Sequence, residues 1–250
     1  MPRSGLPLVI ASQVALAGAC GHNAPLTKPP PSQAAIDVER YREQVDAQVQ
    51  PLLDAELVSG LVIGLYNVGK SEIYGFGKGP GTGAPDGTTL FELGPVSNVY
   101  TMLLLADAVQ RREVDLDTPV SELLPLGVTV PVRDKVAITL KHLALHSSGL
   151  PPQPPSIAAR DPAPDPYAGY GENALYNDLI QSDLAARPGT QISYSPFGVG
   201  LLGFALGRKI GGGYAKVLDA RVLRPLALKD TFVGVPAAAA ARRAQGTDDD

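Results

Sequence analysis

Two histidines, His142 and His146, stand four residues apart in ITLKHLALHSSG. On a helix that spacing places both imidazoles on one face, a pattern that binds zinc. No glutamate lies between them and no third ligand is evident, so the pair reads as structural, and no metal or other cofactor is expected. His22 lies in a proline-rich stretch. Three carboxylates, Asp107, Asp115 and Asp117, flank or follow an apolar helix. They fit solvated positions and a turn better than a paired-carboxylate site. Ser147 and Ser148 come in a turn after a helix, where hydroxyls cap backbone groups. The run GFGKGPGTGAPDG, 75–87, lacks the Lys-Ser/Thr ending of a phosphate loop and leads straight into no helix, so it reads as a connection between strands.

The elements that would hold these residues are marked by spacing. A helix is expected from about Ser32, its N-cap, because Val38, Tyr41, Val45, Val49 and Leu52 recur at intervals of three and four. LVSGLVIGLYN and SEIYGFGK flank VGK as a β-hairpin. A helix from Pro95 to about Arg112 has apolar residues on nearly all its faces and is expected to be buried. Proline suits its first turn, where a missing N–H costs nothing. DLDTPVSELLP is a loop with a short helical turn, and ITLKHLALHSSGLPP a short helix ending at Gly149 and Pro151. After a proline-rich excursion over 151–170, helices are expected at about 172–186, 197–209 and 214–222.

The chain has 250 residues, 44% hydrophobic and 18% charged, with a formal net charge of −4. That composition describes a globular chain with one sizeable core. No basic face is visible, which argues against nucleic acid as a partner. The single cysteine, Cys20, excludes an intrachain disulfide. MPRSGLPLVIASQVALAGAC carries an early arginine, an apolar run and small residues before the cysteine. It reads as a secretory leader too short to span a membrane. LAGAC resembles a lipoprotein cleavage box, which would lipidate Cys20 and tie the protein to a membrane; ordinary cleavage near Ala19 is the alternative. Either way the mature protein is expected outside the cytoplasm. The expected organisation is leader 1–20, proline-rich tether 21–33 and one domain, 34–250.

Three longer segments, in order, carry a family resemblance. LFELGPVSNVYTMLLLADAVQRREVDLDTPVSELLP resembles the part of serine β-lactamases and penicillin-binding D-alanyl-D-alanine carboxypeptidases that holds S-x-x-K. ITLKHLALHSSGLP resembles a helix-turn of the class C-like branch. PGTQISYSPFGVGLLGFAL, followed by LRPLALKDT, resembles the part that holds Y-x-N. DPAPDPYAGY and LLG lean toward the carboxypeptidase/endopeptidase members. The resemblance covers about 60–246 and implies an α+β fold: an antiparallel sheet with flanking helices, and a helical subdomain.

The family chemistry places a serine at a helix head, a lysine one turn later to lower the cost of its deprotonation, and a tyrosine that relays the proton. An asparagine bonds the substrate amide, and a C-terminal Lys/His-Thr/Ser-Gly strand grips the carboxylate. Here the serine position is Pro95, the lysine position Asn98 and the Y-x-N asparagine position Pro196. Tyr194 alone is retained. Ser97 is expected to turn about 200° from the face that position 95 presents, and Ser195, beside Tyr194, is a similarly weak candidate for the nucleophile. The sequence stops at Asp250 before the C-terminal triplet, so an incomplete sheet with an exposed edge is expected. The expectation is an exported member of the family without turnover. The alternatives are an envelope lipoprotein that binds peptidoglycan peptide, a β-lactam or a protein partner, and a hydrolase with a displaced serine.

Overall fold

The structure, a computed structural model, describes residues 41–67, 69–160 and 165–246. The leader, Cys20, the tether and the Ser32 cap lie outside the described residues. Helix α1, Arg42–Asp54, carries the rest of the expected first helix. Val49 is its buried residue, while Leu52 is 40% exposed, off the packed face. Strands β1, Gly60–Asn67, and β2, Lys70–Gly77, form the hairpin, with register running from Gly60 opposite Gly77 to Asn67 opposite Lys70. Alternation puts Leu61, Ile63 and Leu65 on the same face as Tyr74 and Phe76. Arg42 of α1 lies over both aromatic rings, 5.3 and 5.6 Å from their centroids. The glycine-rich connection folds back across the opposite face. A Cβ on Gly75 would sit 1.6 Å from the Pro85 carbonyl oxygen, so only glycine admits that crossing. Among the described residues the sheet has these two strands, and neither has a second strand neighbour.

A backbone clasp joins the hairpin side to the end of the described chain. Leu90 N–H donates to the Arg242 carbonyl and Ala244 N–H to the Leu90 carbonyl, both at 2.8 Å. Arg242 also reaches the Thr88 carbonyl at 3.1 Å, and Arg243 pairs with Glu92 at 2.6 Å.

The helical body contains α2 (Ser97–Gln110), α3 (Leu140–Ala144), α4 (Pro155–Ala158), α5 (Glu172–Gln181), α6 (Pro196–Ile210) and α7 (Tyr214–Leu218). A 3₁₀ turn over Gly94–Val96 leads into α2, and a π turn over Asp219–Leu223 extends α7. Leu201, Leu202, Ala205 and Leu206 of α6 are fully buried against Leu104 and Ala108 of α2, Leu140 and Leu143 of α3, and Val217 of α7. Burial at this level stabilises each large side chain by about 1.5–3 kcal/mol.

Several boundaries differ from the pattern in the sequence. The fifth helix stops at Gln181 because Ser182 turns extended; its hydroxyl donates to the Asp178 carbonyl at 2.6 Å. Helix α3 ends at Ala144, and His146 follows in the left-handed region with φ 52°. The expectation of an all-round buried α2 is corrected: Thr101, Leu104, Leu105 and Ala108 face the core, but Val96, Val99 and Leu103 are 55%, 56% and 42% exposed. Apolar composition alone did not encode which face would be covered. Asp107 is likewise no isolated solvated carboxylate: it accepts from Arg111 at 2.9 Å and from Arg221 at 3.2 Å, and Arg221 also forks onto Glu113 at 2.6 and 3.0 Å.

The proline-rich excursion is pinned by one carboxylate. Asp178, 1% exposed, accepts from Ser156 N–H at 2.8 Å, Ser156 Oγ at 2.7 Å and Tyr170 Oη at 2.9 Å. Burial and the adjacent carboxylate push the Tyr170 phenol above its ordinary pKa, so it remains a donor.

Candidate active site

Between the head of α2 and the start of α6 lies a cleft of roughly 650 Å³. Pro95, Ser97 and Asn98 line it from one side, and Tyr194 and Pro196 from the other. The structure therefore brings together Pro95, Asn98, Tyr194 and Pro196, the four positions singled out in sequence. Asn98 Nδ2 reaches Tyr194 Oη at 3.5 Å, the long end of a hydrogen bond. Because the phenol oxygen accepts there, its proton is free to point into the cleft.

Each element is placed by local chemistry. Pro95 occupies the 3₁₀ turn that feeds α2, where no N–H is needed. Pro196 opens α6 in the same way, with Ser195 as N-cap. Ser195 Oγ accepts from Gly198 N–H at 3.0 Å and donates to the Pro151 carbonyl at 2.7 Å. It is 1% exposed, so it serves the fold and does not face the cleft. Ser97 departs from the expected direction. The exposed first turn lets the cavity wrap around the helix head, and Ser97 lines it together with Pro95. Its hydroxyl donates to the Gly94 carbonyl at 2.6 Å.

Sequence reasoning missed the residue that orients Tyr194. His146 Nδ1 accepts from Ser195 N–H at 3.1 Å, and its carbonyl accepts from Ser193 N–H at 2.8 Å. Its ring lies 4.8 Å from the Tyr194 ring. The left-handed backbone at His146 points both groups at the 193–195 segment. No local pattern announces such a contact across about fifty residues. The zinc spacing fails for the same reason, since His146 has left the helix that holds His142. His142 instead completes a capping box with Thr139, its Nδ1 accepting Thr139 N–H at 3.2 Å. Desolvation holds the His142 pKa below its ordinary value, which favours the neutral acceptor form. Among the described residues no group of three or more His, Cys, Asp or Glu side chains is placed to hold a metal. Ser147 and Ser148 are buried turn residues, and Ser148 Oγ accepts Leu150 N–H at 3.2 Å.

Chemically, the cleft offers a phenol donor, a carboxamide and apolar walls. Pro95 carries no nucleophile, and the Asn98 amide has no basic lone pair to take a proton. The far wall is completed by Thr231, Phe232 and Val233, and by Tyr214, whose hydroxyl pairs with Thr101 at 2.7 Å.

The hairpin with its preceding helix α1, and the helical body beside it, share the fold of β-lactamase/carboxypeptidase proteins. A crystal structure of β-lactamase/D-alanine carboxypeptidase from Yersinia pestis, complexed with citrate, superposes with a TM-score of 0.69 at 25% identity, over 83% of this chain and 60% of that one. The family model described as Beta-lactamase matches residues 45–250, and the chain belongs to that family. A β-lactamase of Pseudomonas fluorescens is 31% identical over 212 residues, 83% of this chain and 55% of that protein. The D-alanyl-D-alanine-carboxypeptidase/endopeptidase AmpH of Escherichia coli K12 is 30% identical over 147 residues, 59% of this chain and 37% of that protein. The chain spans about half the length, or less, of these curated relatives.

Proposed function

We propose that this chain is an exported member of the family whose cleft binds a D-alanyl peptide or a β-lactam without forming an acyl-serine. The observation that carries the reading is the pairing of Asn98 with Tyr194 across a cleft where position 95 is proline. Acyl transfer needs a hydroxyl whose proton is taken by a positioned base. The hydroxyls of Ser97 and Ser195 instead donate to backbone carbonyls. The ligand class comes from relatives named β-lactamase and D-alanyl-D-alanine-carboxypeptidase. The leader-like 1–20 segment supports export, with lipidation at Cys20 as the membrane anchor.

The test is intact mass of the folded protein after incubation with a reactive penicillin, alongside titration of the same protein with a D-alanyl-D-alanine peptide. The expected result is no mass gain and saturable, reversible binding. A stoichiometric adduct mapped to Ser97, Ser195 or another hydroxyl would refute the non-acylating reading and establish a displaced nucleophile.

A further inference from the structure

The segment that carries Tyr194 is held by a bond that depends on a proton. His146 Nδ1 accepts the Ser195 N–H at 3.1 Å. A ring nitrogen accepts only while it carries no proton, so this contact selects the neutral imidazole with its proton on Nε2. Protonation turns Nδ1 into a donor that meets a donor. Turning the ring over brings the carbon Cδ2 to the same place, and it accepts nothing. In either case the Ser195 N–H loses its partner. Ser195 is 1% exposed, and a buried N–H without an acceptor is costly.

The surroundings decide which side gives way. The His146 backbone is fixed through its carbonyl, which accepts the Ser193 N–H at 2.8 Å. Ser195 is fastened through Oγ to the Gly198 N–H at 3.0 Å and to the Pro151 carbonyl at 2.7 Å. Tyr194, between these anchors, is the loosest of the three. It is 49% exposed, and its phenol meets Asn98 at 3.5 Å, the long end of a hydrogen bond. Its ring lies 4.8 Å from the imidazole, and an aromatic face at that range attracts a cation. The two rings therefore stay in contact while the 194–195 peptide turns and carries the phenol away from Asn98. The elements packed here are α3, the 187–195 segment and α6. Their titratable groups are Lys141, His142, Arg187, Tyr194, Arg208 and Lys209, with no carboxylate, and the turn at 151–155 has none. No anion on these elements holds the extra proton against the Ser195 N–H.

We propose that His146 is a positioning residue that works only in its neutral form: it presents Tyr194 to Asn98 across the cleft at neutral pH and releases it in acid. His146 does not itself line the cleft, so its protonation acts there through Tyr194.

Amide hydrogen exchange and NMR of the full chain without ligand test this between about pH 8 and about pH 5, the window in which histidine gains its charge. Protection factors are corrected for the pH dependence of intrinsic exchange. The Ser195 amide is expected to lose about three- to tenfold of its protection, the range for one net hydrogen bond, with the midpoint of the His146 ring-carbon titration. The Tyr194 ring-carbon shifts should follow the same midpoint. The Ser193 amide, bonded to the carbonyl of the same histidine, should keep its protection, which separates this event from general loosening in acid. His146→Asn is the control. Its Oδ1 stands where Nδ1 did, it does not titrate in this range, and asparagine tolerates the left-handed backbone at φ 52°. In that variant Ser195 protection should not change with pH. Equal losses at Ser193 and Ser195, or a Ser195 response that persists in His146→Asn, would overturn the proposal. So would an imidazole that stays neutral down to about pH 5, or one that titrates while Ser195 and Tyr194 stay unchanged. The Ser193–Ser195 comparison is made within the unsubstituted protein, so the test survives a variant that fails to fold. Because no ligand is used, its failure leaves the non-acylating reading intact.

Discussion

Replacing Asp178 with alanine tests whether one buried carboxylate holds the proline-rich excursion to the helical body. Three donors converge on it: Ser156 N–H, Ser156 Oγ and Tyr170 Oη, at 2.8, 2.7 and 2.9 Å. With Asp178 only 1% exposed, water cannot readily take its place. Hydrogen bonds to a charged acceptor contribute about 1.5–3 kcal/mol each, and they are not additive within one network. Deletion therefore costs about 3–5 kcal/mol, at the severe end for single substitutions. Asp178→Asn should cost about half as much, because its carbonyl still accepts from Ser156 N–H while the two hydroxyls rotate to accept from the new amide. Tyr170→Phe removes one donor and should cost about 1–2 kcal/mol. Urea unfolding followed by circular dichroism reads these values directly, provided the slopes agree. A cost below about 1 kcal/mol for Asp178→Ala, or an asparagine variant as damaged as alanine, would refute the reasoning.

Three further outcomes follow from packing and charge. In Gly207→Ala the new methyl would lie 2.4 Å from Tyr214 N, so α7 must shift from α6; a loss of about 1–3 kcal/mol in urea unfolding is expected, with weakening of the Thr101–Tyr214 bond. Ser195→Ala removes the α6 cap and leaves the Pro151 carbonyl without its donor; a loss of about 2 kcal/mol is expected, with no change in penicillin adduct formation by mass. Arg221 hydrogen bonds hold the Glu113 pKa below the ordinary carboxylate value. Its stabilising contribution is thus complete above the unfolded-state pKa and disappears as pH falls through the depressed folded value. With the two side chains 32% and 20% exposed, Glu113→Gln should cost about 1 kcal/mol at neutral pH and nothing in strong acid, as followed by urea unfolding across pH.

The features that rest on local chemistry were legible in the sequence. The hairpin followed from two strand-like segments flanking VGK and α6 was expected at about 197–209, whereas the cleft positions came from the family resemblance of three segments. What escaped was settled across long separations. The exposed Val96–Val99–Leu103 stripe, the His146–Ser195 contact and the Asp178 hub all depend on which surfaces meet, and no spacing rule encodes that. Ser97 shows the limit most clearly. Ideal helical rotation turned it away from the cleft, but the cavity extends around an exposed helix head and reaches it. The Thr139–His142 capping box was readable in principle, since threonine precedes the helix and His142 falls at its third position.

The clasp between Leu90 and Arg242–Ala244 bears on how the chain reaches this arrangement. Arg242 and Thr88 are separated by 154 positions, and closing a flexible loop of that length costs about 4–5 kcal/mol of chain entropy. Of the described elements, α1 and the hairpin emerge first during synthesis, and a lone two-stranded hairpin is marginal in water. Their fastening to the rest of the protein waits until residues 242–244 leave the ribosome. The helical body can consolidate in the interval from contacts closer in sequence, with the clasp as a late, high-contact-order step. Among the described elements the hairpin is thus made early and fastened late, which gives it a long exposure in the nascent chain to holding chaperones and to misassembly.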